Sequence, residues 1–425
     1  MKGNLHRLRL NNKQRTLAFK HAGTSRHAYN WGVALCNEIS EKRDKLPSSI
    51  DLHKLLVKDV KPDNMWYYEA SKCAPQQALR NLSTSWSNFF RKLKSGEVEK
   101  NRKSYIREQK SKGLEINNRK LNNICKPKFK KKGVNESFYI EGKIVVDGNK
   151  IKVPKFGWIR MEESYGEPFM VKNVTISLRA GFFFISFRTE LGNKIVKGID
   201  KKPSVGVDLG VKTLATMSDG KSHPNAKAHK KYKRNLKIAQ RKVSKKYNKD
   251  EKVQSKNYYK AKNRVSKTHF RISCIRKDSI HKLTTQLAKN HSMIVIEDLN
   301  VKGMLKNRRL SGAIQDGGFH EFRRQLEYKT EWYGSKLVVI DRFYPSSKTC
   351  SSCSKVKKEL KLSERTYKCE GCGLAIDRDL NAAINIRRLA ESYDVIACGE
   401  LNKPNAKANR DSLKQEENSK MLSFV

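Results

Sequence analysis

The chain has 425 residues and carries 91 Lys and Arg against 42 Asp and Glu, a net charge of +49. Such an excess repels itself unless a polyanion neutralises it, so nucleic acid is the expected partner. A content of 37% hydrophobic residues excludes a simply disordered chain. No run approaches about 18 apolar residues and no signal-peptide core opens the chain, so we expect no membrane span and a cytoplasmic protein.

The first 133 residues predict helices followed by a basic arm. Residues 11–95 contain apolar side chains at helical spacing, most clearly Leu79, Leu82, Trp86, Phe89, Phe90 and Leu93. That stripe predicts the core of a helix bundle. Residues 91–133 hold 16 Lys and Arg against 4 Glu, a net charge of +12, with few apolar residues. We expect this stretch to be a loop or arm that a phosphate backbone orders.

Residues 134–190 predict a small β-barrel or sandwich. The segment is rich in β-branched and aromatic side chains, which favour strands. Asp147-Gly148 and Ala180-Gly181 interrupt these runs and predict hairpin turns.

From residue 204 onwards, short strands alternate with helices. Apolar strands are predicted after Ser204, at 293–298 and at 336–341, with a helix through Phe319, Phe322 and Leu326 between the last two. Residues 221–289 hold 23 Lys and Arg against three acids, a net charge of +20, and predict long basic helices. This alternation indicates an α/β layer.

Four of the nine cysteines form two Cys-x2-Cys pairs, Cys350 with Cys353 and Cys369 with Cys372. This spacing is typical of a four-thiolate zinc site, in which each pair turns two sulfurs towards one tetrahedral ion. We expect residues 355–368 to form the hairpin of a zinc ribbon. Two redox pairs are the alternative, but neither pair opens a helix after a thioredoxin-like strand. We therefore expect one structural Zn²⁺.

Three acids stand where a sheet would direct them towards one point. Asp208 ends VGVDLG, Glu297 ends MIVIE and Asp379 opens the helix DRDLNAAINI. Enzymes that cut phosphodiesters with two metal ions need such acids, because carboxylate oxygens ligate both ions. Gly206 and Gly210, beside the first acid, are expected to let backbone and substrate approach closely.

Neighbouring acids leave alternatives open. Asp298 or Asp341 could replace Glu297 as a ligand, and either Asp377 or Asp379 could be a helix N-cap. The order of the elements favours the first choice: an acid after one strand, an acid after a later strand, the cysteine block, and an acid at a helix start.

In this order, the motifs resemble those of the TnpB (OrfB) family, transposon-encoded RNA-guided DNA endonucleases related to miniature type V CRISPR effectors. VGVDLGVKTLATMSDG looks like the first motif of the family's RuvC nuclease, IVIEDLNVKGM the second and DRDLNAAINI the third. The resemblance extends over nearly the whole chain, through GTSRHAYNWGVAL, QQALRNLSTSWSNFFRKLKSG, KPKFKKKG, VPKFGWIRM, KNRRLSGAIQDGGFHEFRRQLEYK and FYPSSKTCSSC.

The resemblance implies an α/β multidomain fold. An N-terminal β-barrel wedge domain would comprise residues 1–10 and 121–195, with an α-helical recognition lobe inserted at 11–120. A RuvC (RNase H-like) nuclease domain would comprise 196–344 and 374–392, including long basic helices at 224–290. A zinc ribbon that binds target nucleic acid would occupy 345–373, and residues 393–425 would form a flexible tail.

The resemblance also implies roles for individual residues. Asp208, Glu297 and Asp379 would be the catalytic acids and would hold two Mg²⁺, with Asp377 as a neighbour or cap. Arg365 matches a basic residue beside the cleavage site. Hydrolysis would leave 5′-phosphate and 3′-hydroxyl ends.

Nucleic-acid contacts are implied in the N-terminal half. Lys72 and Gln76 match positions near those that read a short target-adjacent DNA motif, although Cys73 and Pro75 are unlike the family's residues there. Further expected contacts, all in matched segments, are Arg26, Lys130, Lys131 and Lys132.

The expected partners are a guide RNA derived from the transposon end and double-stranded target DNA, bound by one protein monomer on the prokaryotic nucleoid. In such systems pairing reads the sequence, while the protein reads backbone shape and a short motif. The rival interpretations are a nuclease-inactive RNA-guided repressor, a DNA-joining transposase and a compact CRISPR effector. All three acidic positions are filled, which favours an active nuclease over the repressor.

Overall fold

The structure, a computed structural model, describes residues 2–134, 136–190, 195–251, 253–307, 309–361 and 363–398. It divides into two units, Met1–Gly192 and Asn193–Val425. Of the predicted flexible tail, residues 393–398 continue the last helix and the remainder lies outside the described residues. Within the described ranges, no helix is both long enough and apolar enough to cross a bilayer.

The first unit combines strands with a helical insertion. Its strands are β1 (Lys2–Arg9), β2 (Ser137–Asp147), β3 (Lys150–Val153), β4 (Gly157–Met161), β5 (Phe169–Arg179) and β6 (Phe182–Thr189). Its helices are α1 (Asn12–Glu41), α2 (Ser49–Leu55), α3 (Cys73–Lys94), α4 (Glu97–Ser111) and α5 (Asn118–Asn122). A π-helical turn (Leu56–Val60) and a 3₁₀ turn (Met65–Glu69) lie between α2 and α3.

The six strands close into an antiparallel barrel, in the order β1-β4-β3-β2-β5-β6 with β1 also paired to β6. Alternate side chains point inwards, as in β2, where Phe138, Ile140 and Val146 are buried. Both predicted hairpin turns are confirmed. At the second, Ala180 and Gly181 both have positive φ, 50° and 80°, as a tight two-residue hairpin turn requires. The barrel rather than the sandwich is therefore correct.

The helices of the first unit form their own core. Of the predicted stripe, Leu79, Leu82, Trp86 and Phe89 are buried on α3 in a core shared with α1, whereas the prediction is wrong for Phe90 and Leu93, which are exposed. The prediction of a loop or arm at 91–133 is wrong for α4, which is regular although Val98 is its sole buried residue among those described. Good helix formers and acids in the first turn stabilise it without a large apolar face.

The second unit contains the remaining elements. Its strands are β7 (Val205–Leu209), β8 (Thr213–Met217), β9 (Ser222–Pro224), β10 (Met293–Glu297), β11 (Lys336–Ile340), β12 (Thr366–Lys368) and β13 (Ala375–Asp377). Its helices are α6 (Ala228–Ser244), α7 (Lys256–Asn290), α8 (Val301–Met304), α9 (Ser311–Gly317), α10 (Phe319–Tyr333) and α11 (Arg378–Cys398).

Five strands form one mixed sheet in the order β11-β10-β7-β8-β9. Strands β7, β8 and β9 are antiparallel neighbours, whereas β10 and β11 run parallel to β7. One core packs this sheet against α7 and α10, with Phe322 and Leu326 fully buried. A smaller core, with Ile386 and Ala390, packs it against α11. The predicted α/β layer is therefore present.

A buried lysine joins α7 to α10. Lys329 is 4% exposed, and its ammonium donates to the carbonyl of His281 and to the hydroxyls of Thr284 and Thr285, at 2.7–2.8 Å. Burial lowers the pKa of Lys329 to about 8. The cation is thus held by neutral acceptors, with Glu321 contributing only a weaker attraction.

Raising the pH should stabilise the wild-type protein relative to a Lys329→Met variant. The unfolded chain keeps the lysine proton up to a pKa of about 10.4, whereas the folded protein releases it near pH 8, so stability rises with pH between these values. The expected gain is about 2 kcal/mol between about pH 7.5 and pH 10. Urea unfolding of both proteins measures it, and a difference that does not change with pH would contradict it.

Candidate functional site

Two parallel strands place Asp208 and Glu297 side by side. Strands β7 and β10 pair with Val207 opposite Ile296, and the two acids are the next residues along each strand. Carboxyl ends of adjacent parallel strands meet at one edge of a sheet. The local apolar runs bury both strands, and each run ends in its acid at that edge.

Helix α11 brings Asp379 to the same edge because it runs antiparallel to β7 at very close range. A Cβ on Gly206 would lie 2.1 Å from the carbonyl oxygen of Ala383, so only glycine allows this approach. Asp208 lies two residues beyond Gly206 on the same strand face, and Asp379 lies one helical turn before Ala383. These steps cover similar distances, about 6–7 Å, in the same direction.

The three carboxylates are electrostatically coupled. Burial, then the charge of Glu297, then that of Asp379 raise the pKa of Asp208 to about 7. The guanidinium of Arg378 opposes this rise. Burial also raises the pKa of Glu297, against a hydrogen bond that its carboxylate accepts from the Ser346 hydroxyl. Such a cluster lacks enough positive charge of its own, which is the condition that a bound cation relieves.

The donor set suits hard divalent cations. Three carboxylates offer oxygen ligands of the type that Mg²⁺ prefers. In the described chain, only the four cysteines form a group of three or more ligand side chains whose ligand atoms lie within 4.8 Å of one another. The three carboxylates do not approach one another that closely.

The neighbouring acids are engaged elsewhere. Asp298 forms ion pairs with Arg323 of α10, at 2.6 Å, and with Arg342 after β11, and these arginines lower its pKa. Asp341 is exposed and accepts a hydrogen bond from the backbone N–H of Phe343, at 2.7 Å. Neither joins the cluster around Asp208.

Asp377 acts as the cap of α11. Its carboxylate accepts hydrogen bonds from the backbone N–H groups of Asp379 and Leu380, at 2.9 and 3.0 Å. This leaves Asp379, in the first turn, as the acid of the segment that faces Asp208.

The sequence did not point to the polar residues that hold Glu297 in place. Ser346, which donates to Glu297, is buried, and its carbonyl accepts a hydrogen bond from Asn385 of α11, at 2.9 Å. Asn385 and Asn381 also donate to the carbonyl of Thr349, at 2.6 and 2.7 Å. Both asparagines are buried one helical turn apart. That spacing of amides in NAAIN was the available signal, because buried amides need partners.

The four cysteines lie together next to this loop. Cys350 and Cys372 place their sulfurs 3.6 Å apart, and Cys353 and Cys369 place theirs 3.5 Å apart. Four sulfurs around a tetrahedral zinc ion lie about 3.8 Å from one another. Backbone N–H groups of Cys372 and Gly371 lower the pKa of Cys369 to about 6, which favours the thiolate that a metal needs. The cluster therefore fits zinc.

The predicted position of the ribbon hairpin was wrong. Strand β12 pairs with β13 around the second cysteine pair, rather than within residues 355–368. The pairing extends to Asp377, beyond the predicted end of the ribbon at residue 373. The reason is geometric: the tight turn that carries Cys369 and Cys372 also reverses the chain, and buried Tyr367 packs beneath it.

This hairpin places Arg365 beside the carboxylate helix. The carbonyl of Arg365 accepts a hydrogen bond from the backbone N–H of Arg378, at 2.8 Å, one residue before Asp379. The Arg365 side chain is exposed. Arg378 also donates to the carbonyl of Lys361, at 3.1 Å. Arg378 thus acts on the acidic cluster, and Arg365 is joined to it through the backbone.

In the first unit, Lys72 and Gln76 flank the start of α3. Lys72 is exposed just before the helix, and Gln76 is half-buried in its first turn. Cys73 and Pro75, between them, are buried. A polar cleft of about 440 Å³ opens beside this helix and is lined by, among others, Gln77, Asn81, Asn173, Thr175 and Arg188. No sequence pattern indicated this cleft, because its walls come from distant segments.

The remaining predicted contacts differ in their surroundings. Arg26 is paired with the buried carboxylate of Glu136. The Lys130 ammonium lies 4.1 Å from the centre of the Tyr29 ring, and its backbone N–H donates to Asn30, at 2.7 Å. Lys131 and Lys132 are exposed.

Three family models match the sequence. One described as "Probable transposase" (OrfB_IS605) matches residues 187–308, and one described as "Cas12f1-like, TNB domain" matches residues 319–386. A "Helix-turn-helix domain" of the OrfB_IS605 type matches residues 5–45. In the structure that range contains β1 and the single long helix α1.

The chain is similar to curated proteins over most of its length. It is 33% identical over 399 residues to "Putative RNA-guided DNA endonuclease InsQ" of Escherichia coli K12, covering 89% of each chain. It is 36% identical over 358 residues to a "Putative RNA-guided DNA endonuclease" of Streptomyces pristinaespiralis, covering 82% of this chain and 79% of that protein. A cryo-EM structure of a Cas12f1–sgRNA–target DNA complex matches at 16% identity, over 91% of this chain and 98% of that chain, with a TM-score of 0.33. That score does not establish a common fold.

Gly206→Ala should destabilise the second unit. The added methyl group would meet backbone atoms of α11, the carbonyl oxygen of Ala383 at 2.1 Å and the N of Arg387 at 2.7 Å, which cannot move aside as a side chain could. The expected loss in free energy of unfolding is about 1–3 kcal/mol. Gly312→Ala is the matched control, since its nearest contact is ordinary, at 3.9 Å. Equal urea unfolding curves for the two variants would contradict this account.

Purified protein should contain about one zinc ion per chain, and Cys369→Ser should lose most of it, because a four-ligand site has no spare thiolate. Cys274→Ser is the control, as Cys274 is exposed on α7 and outside the cluster. Metal analysis and thermal unfolding measure both effects. Zinc-free protein of unchanged thermal stability would show that the cluster is not a structural metal site.

Proposed function

Because this chain belongs to the TnpB (OrfB) family, we propose that it is an RNA-guided DNA endonuclease encoded by an insertion sequence. The observation that carries the proposal is the convergence of Asp208, Glu297 and Asp379 at one sheet edge, with the pKa of Asp208 raised to about 7. A nuclease-inactive RNA-guided repressor is the alternative. Retention of all three carboxylates argues against it, since an unused buried acid cluster would only destabilise the fold.

The second unit is proposed to be a RuvC-type, RNase H-like nuclease domain. In support, its sheet has three antiparallel strands in chain order, followed by two parallel strands added on the other side of the first. Numbered within the unit, the order is 3-2-1-4-5. The acids sit at the ends of strands 1 and 4 and on the helix packed against them.

Asp208, Glu297 and Asp379 would hold two Mg²⁺. When bound, these ions would activate a water molecule and neutralise charge on the leaving 3′ oxygen. The chain contributes positioning: the sheet edge fixes Asp208 and Glu297, the Ser346 hydroxyl orients the Glu297 carboxylate, and α11 presents Asp379 from the opposite side.

Two arginines are proposed to bind the scissile phosphate next to the acids. Arg378 is close enough to Asp208 to oppose the rise in its pKa, and Arg365 is joined to Arg378 through the backbone. A guanidinium pairs well with phosphate oxygens. Two-metal hydrolysis in which the 3′ oxygen leaves would give 5′-phosphate and 3′-hydroxyl ends.

The zinc ribbon, with one structural Zn²⁺ on Cys350, Cys353, Cys369 and Cys372, is proposed to support this site rather than to react. Its loop supplies Ser346, and its hairpin runs directly into α11. Zinc would therefore hold Glu297 and Asp379 in place from one side.

Guide RNA and double-stranded target DNA are the proposed partners, bound by one monomer per RNA in the bacterial cytoplasm, at the nucleoid. Support comes from the net charge of +49 and from the names of the relatives. In the first unit, the barrel would act as the wedge and the helices as the recognition lobe. Lys72 and Gln76, with the adjoining polar cleft, would read the target-adjacent motif, and exposed Lys131 and Lys132 would contact phosphates.

Asp379→Asn should lower the rate of cleavage of a guide-matched duplex by at least about 10³-fold, while guide and target binding persist. The asparagine keeps the shape but removes a charged ligand, whereas phosphate contacts elsewhere supply the affinity. Asp208→Asn and Glu297→Gln should behave alike. The assay compares cleavage in magnesium and in EDTA with a gel shift on the same substrate, and end analysis identifies the products.

Two neighbouring acids provide the controls. Asp377→Asn retains a capping oxygen, and Asp298→Asn changes an acid that is paired with arginines, so both should lose much less activity. A dead Asp377→Asn beside an active Asp379→Asn would overturn the choice of acid. Normal cleavage by both Asp208→Asn and Glu297→Gln would overturn the nuclease proposal itself.

A further inference from the structure

Helices α6 and α7 form a two-helix arm that is only partly packed against the second unit. On α6 the buried residues are Ala228, Leu236 and Ala239, and on α7 burial begins at Ile272. Between Ala239 and Ile272, the described residues include no buried side chain. The outer half of this arm is therefore held together mainly by contacts between its own two helices.

Two adjoining grooves run along the outer half of the arm, with volumes of about 430 and 230 Å³. They share Ala239, Lys242 and Arg264 in their walls, so they continue into one another. Six cationic side chains line them, and no carboxylate does so in the described part of the chain. The six are Lys242, Lys246, Lys260, Arg264, Lys267 and Arg271. A groove of this composition suits the phosphates of an extended polyanion.

A cluster of three tyrosines stands at the tip, where the second groove ends. Tyr247 and Tyr258 have ring centres 6.0 Å apart, and Tyr258 and Tyr259 have ring centres 5.4 Å apart. Tyr247 is 56% exposed and Tyr259 is 51% exposed. Their side chains are therefore accessible to a ligand beside the end of the cationic groove.

Hydrogen bonds hold the described residues on both sides of the tip, where Tyr247 precedes the loop and Tyr258 and Tyr259 lie in the first turn of α7. The Gln254 side chain accepts a hydrogen bond from the backbone N–H of Asn248, at 2.8 Å, and donates to the carbonyls of Asn248 and Glu251, at 2.6 and 2.8 Å. The Ser255 hydroxyl caps α7 by accepting from the N–H of Tyr258. The tyrosines are thereby presented in fixed positions, which lowers the entropic cost of binding to them.

We propose that the tip of this arm binds unpaired nucleotides, whose bases stack on Tyr247 and Tyr259 while the adjoining phosphates follow the cationic grooves. Aromatic side chains next to a basic groove favour single strands, because every unpaired base offers a π-face that a duplex conceals. Asp250 and Glu251, in the tip loop, lie outside the groove walls. Only the source of the strand, guide RNA or displaced DNA, rests on the proposed function.

The first test measures binding of fluorescent 12-nucleotide uridine and thymidine strands, and of a duplex of equal length, to the full chain. Salt of about 0.3 M weakens purely electrostatic binding. A variant with Tyr247→Ala and Tyr259→Ala should bind the single strands about tenfold more weakly and the duplex within twofold of wild type. Phenylalanine at both positions should restore binding, because stacking needs the ring and not the hydroxyl.

Val253→Ala is the matched control, since Val253 is an exposed apolar residue of the same loop that cannot stack. It should leave binding unchanged. Unchanged affinity of the double alanine variant for single strands, or an equal loss for the duplex, would overturn the proposal. Neither the guide nor cleavage enters this assay, so its failure leaves the endonuclease proposal intact, and the reverse also holds.

The second test identifies the strand. The guided complex is assembled with 5-iodouridine in the guide RNA, or with 5-iododeoxyuridine in the displaced DNA strand, and is then irradiated. Cross-linked peptides that contain Tyr247 or Tyr259 should appear in one of the two experiments, and that one names the source. Peptides from residues 245–262 that remain free of cross-links in both would overturn the proposal.

Discussion

The close approach of α11 to β7 at Gly206 is the contact on which the candidate site depends. At this point strand and helix lie so close together that no side chain fits between them, because a Cβ on Gly206 would collide with the carbonyl of Ala383. The antiparallel alignment extends in both directions from there: towards Asp208 and Asp379 at one end, and towards the hydrogen bond from Ser204 to Glu391 at the other. A single glycine thus sets the register of the helix on the sheet, and the register sets which acids meet.

The same helix also holds the loop that leads into the cysteine cluster. Asn381 and Asn385 hold the carbonyls of the loop that precedes Cys350, and that loop returns a hydroxyl from Ser346 to Glu297. The acids and the thiols are therefore not independent sites joined by a linker. A different kind of contact fixes each of the three carboxylates: strand pairing for Asp208, a hydrogen bond from a hydroxyl for Glu297, and the start of a helix for Asp379. Helix α11 packs against β7, holds the loop that carries Ser346 and itself carries Asp379.

The sequence predicted what local patterns determine. Cysteine spacing identified the thiol cluster, because ligand spacing within a turn is short-range, and apolar runs ending in Asp208 and Glu297 identified strand ends. Resemblance to a family supplied the choice of Asp379. The features that the sequence did not predict depend on contacts between distant residues. They are the pairing of β12 with β13, the hydrogen bond from Ser346 to Glu297, and the ion pairs that arginines form with Asp298. The helix α4 escaped for another reason, since propensity and capping sustain it where burial does not.

The ribbon hairpin is attached at both of its ends, on one side by the loop that Asn381 and Asn385 hold and on the other by the direct passage of β13 into α11. The described residues of its middle, from residue 357 to residue 365, are mostly exposed, but Lys361 and Arg365 accept hydrogen bonds from Arg378 at the start of α11. A residue added at exposed Glu359 leaves both anchors and these bonds untouched, whereas a single residue added near Thr349, Arg365 or Asp377 would displace an acid. The architecture thus confines a grafted peptide or a fused domain to the short exposed stretch around Glu359.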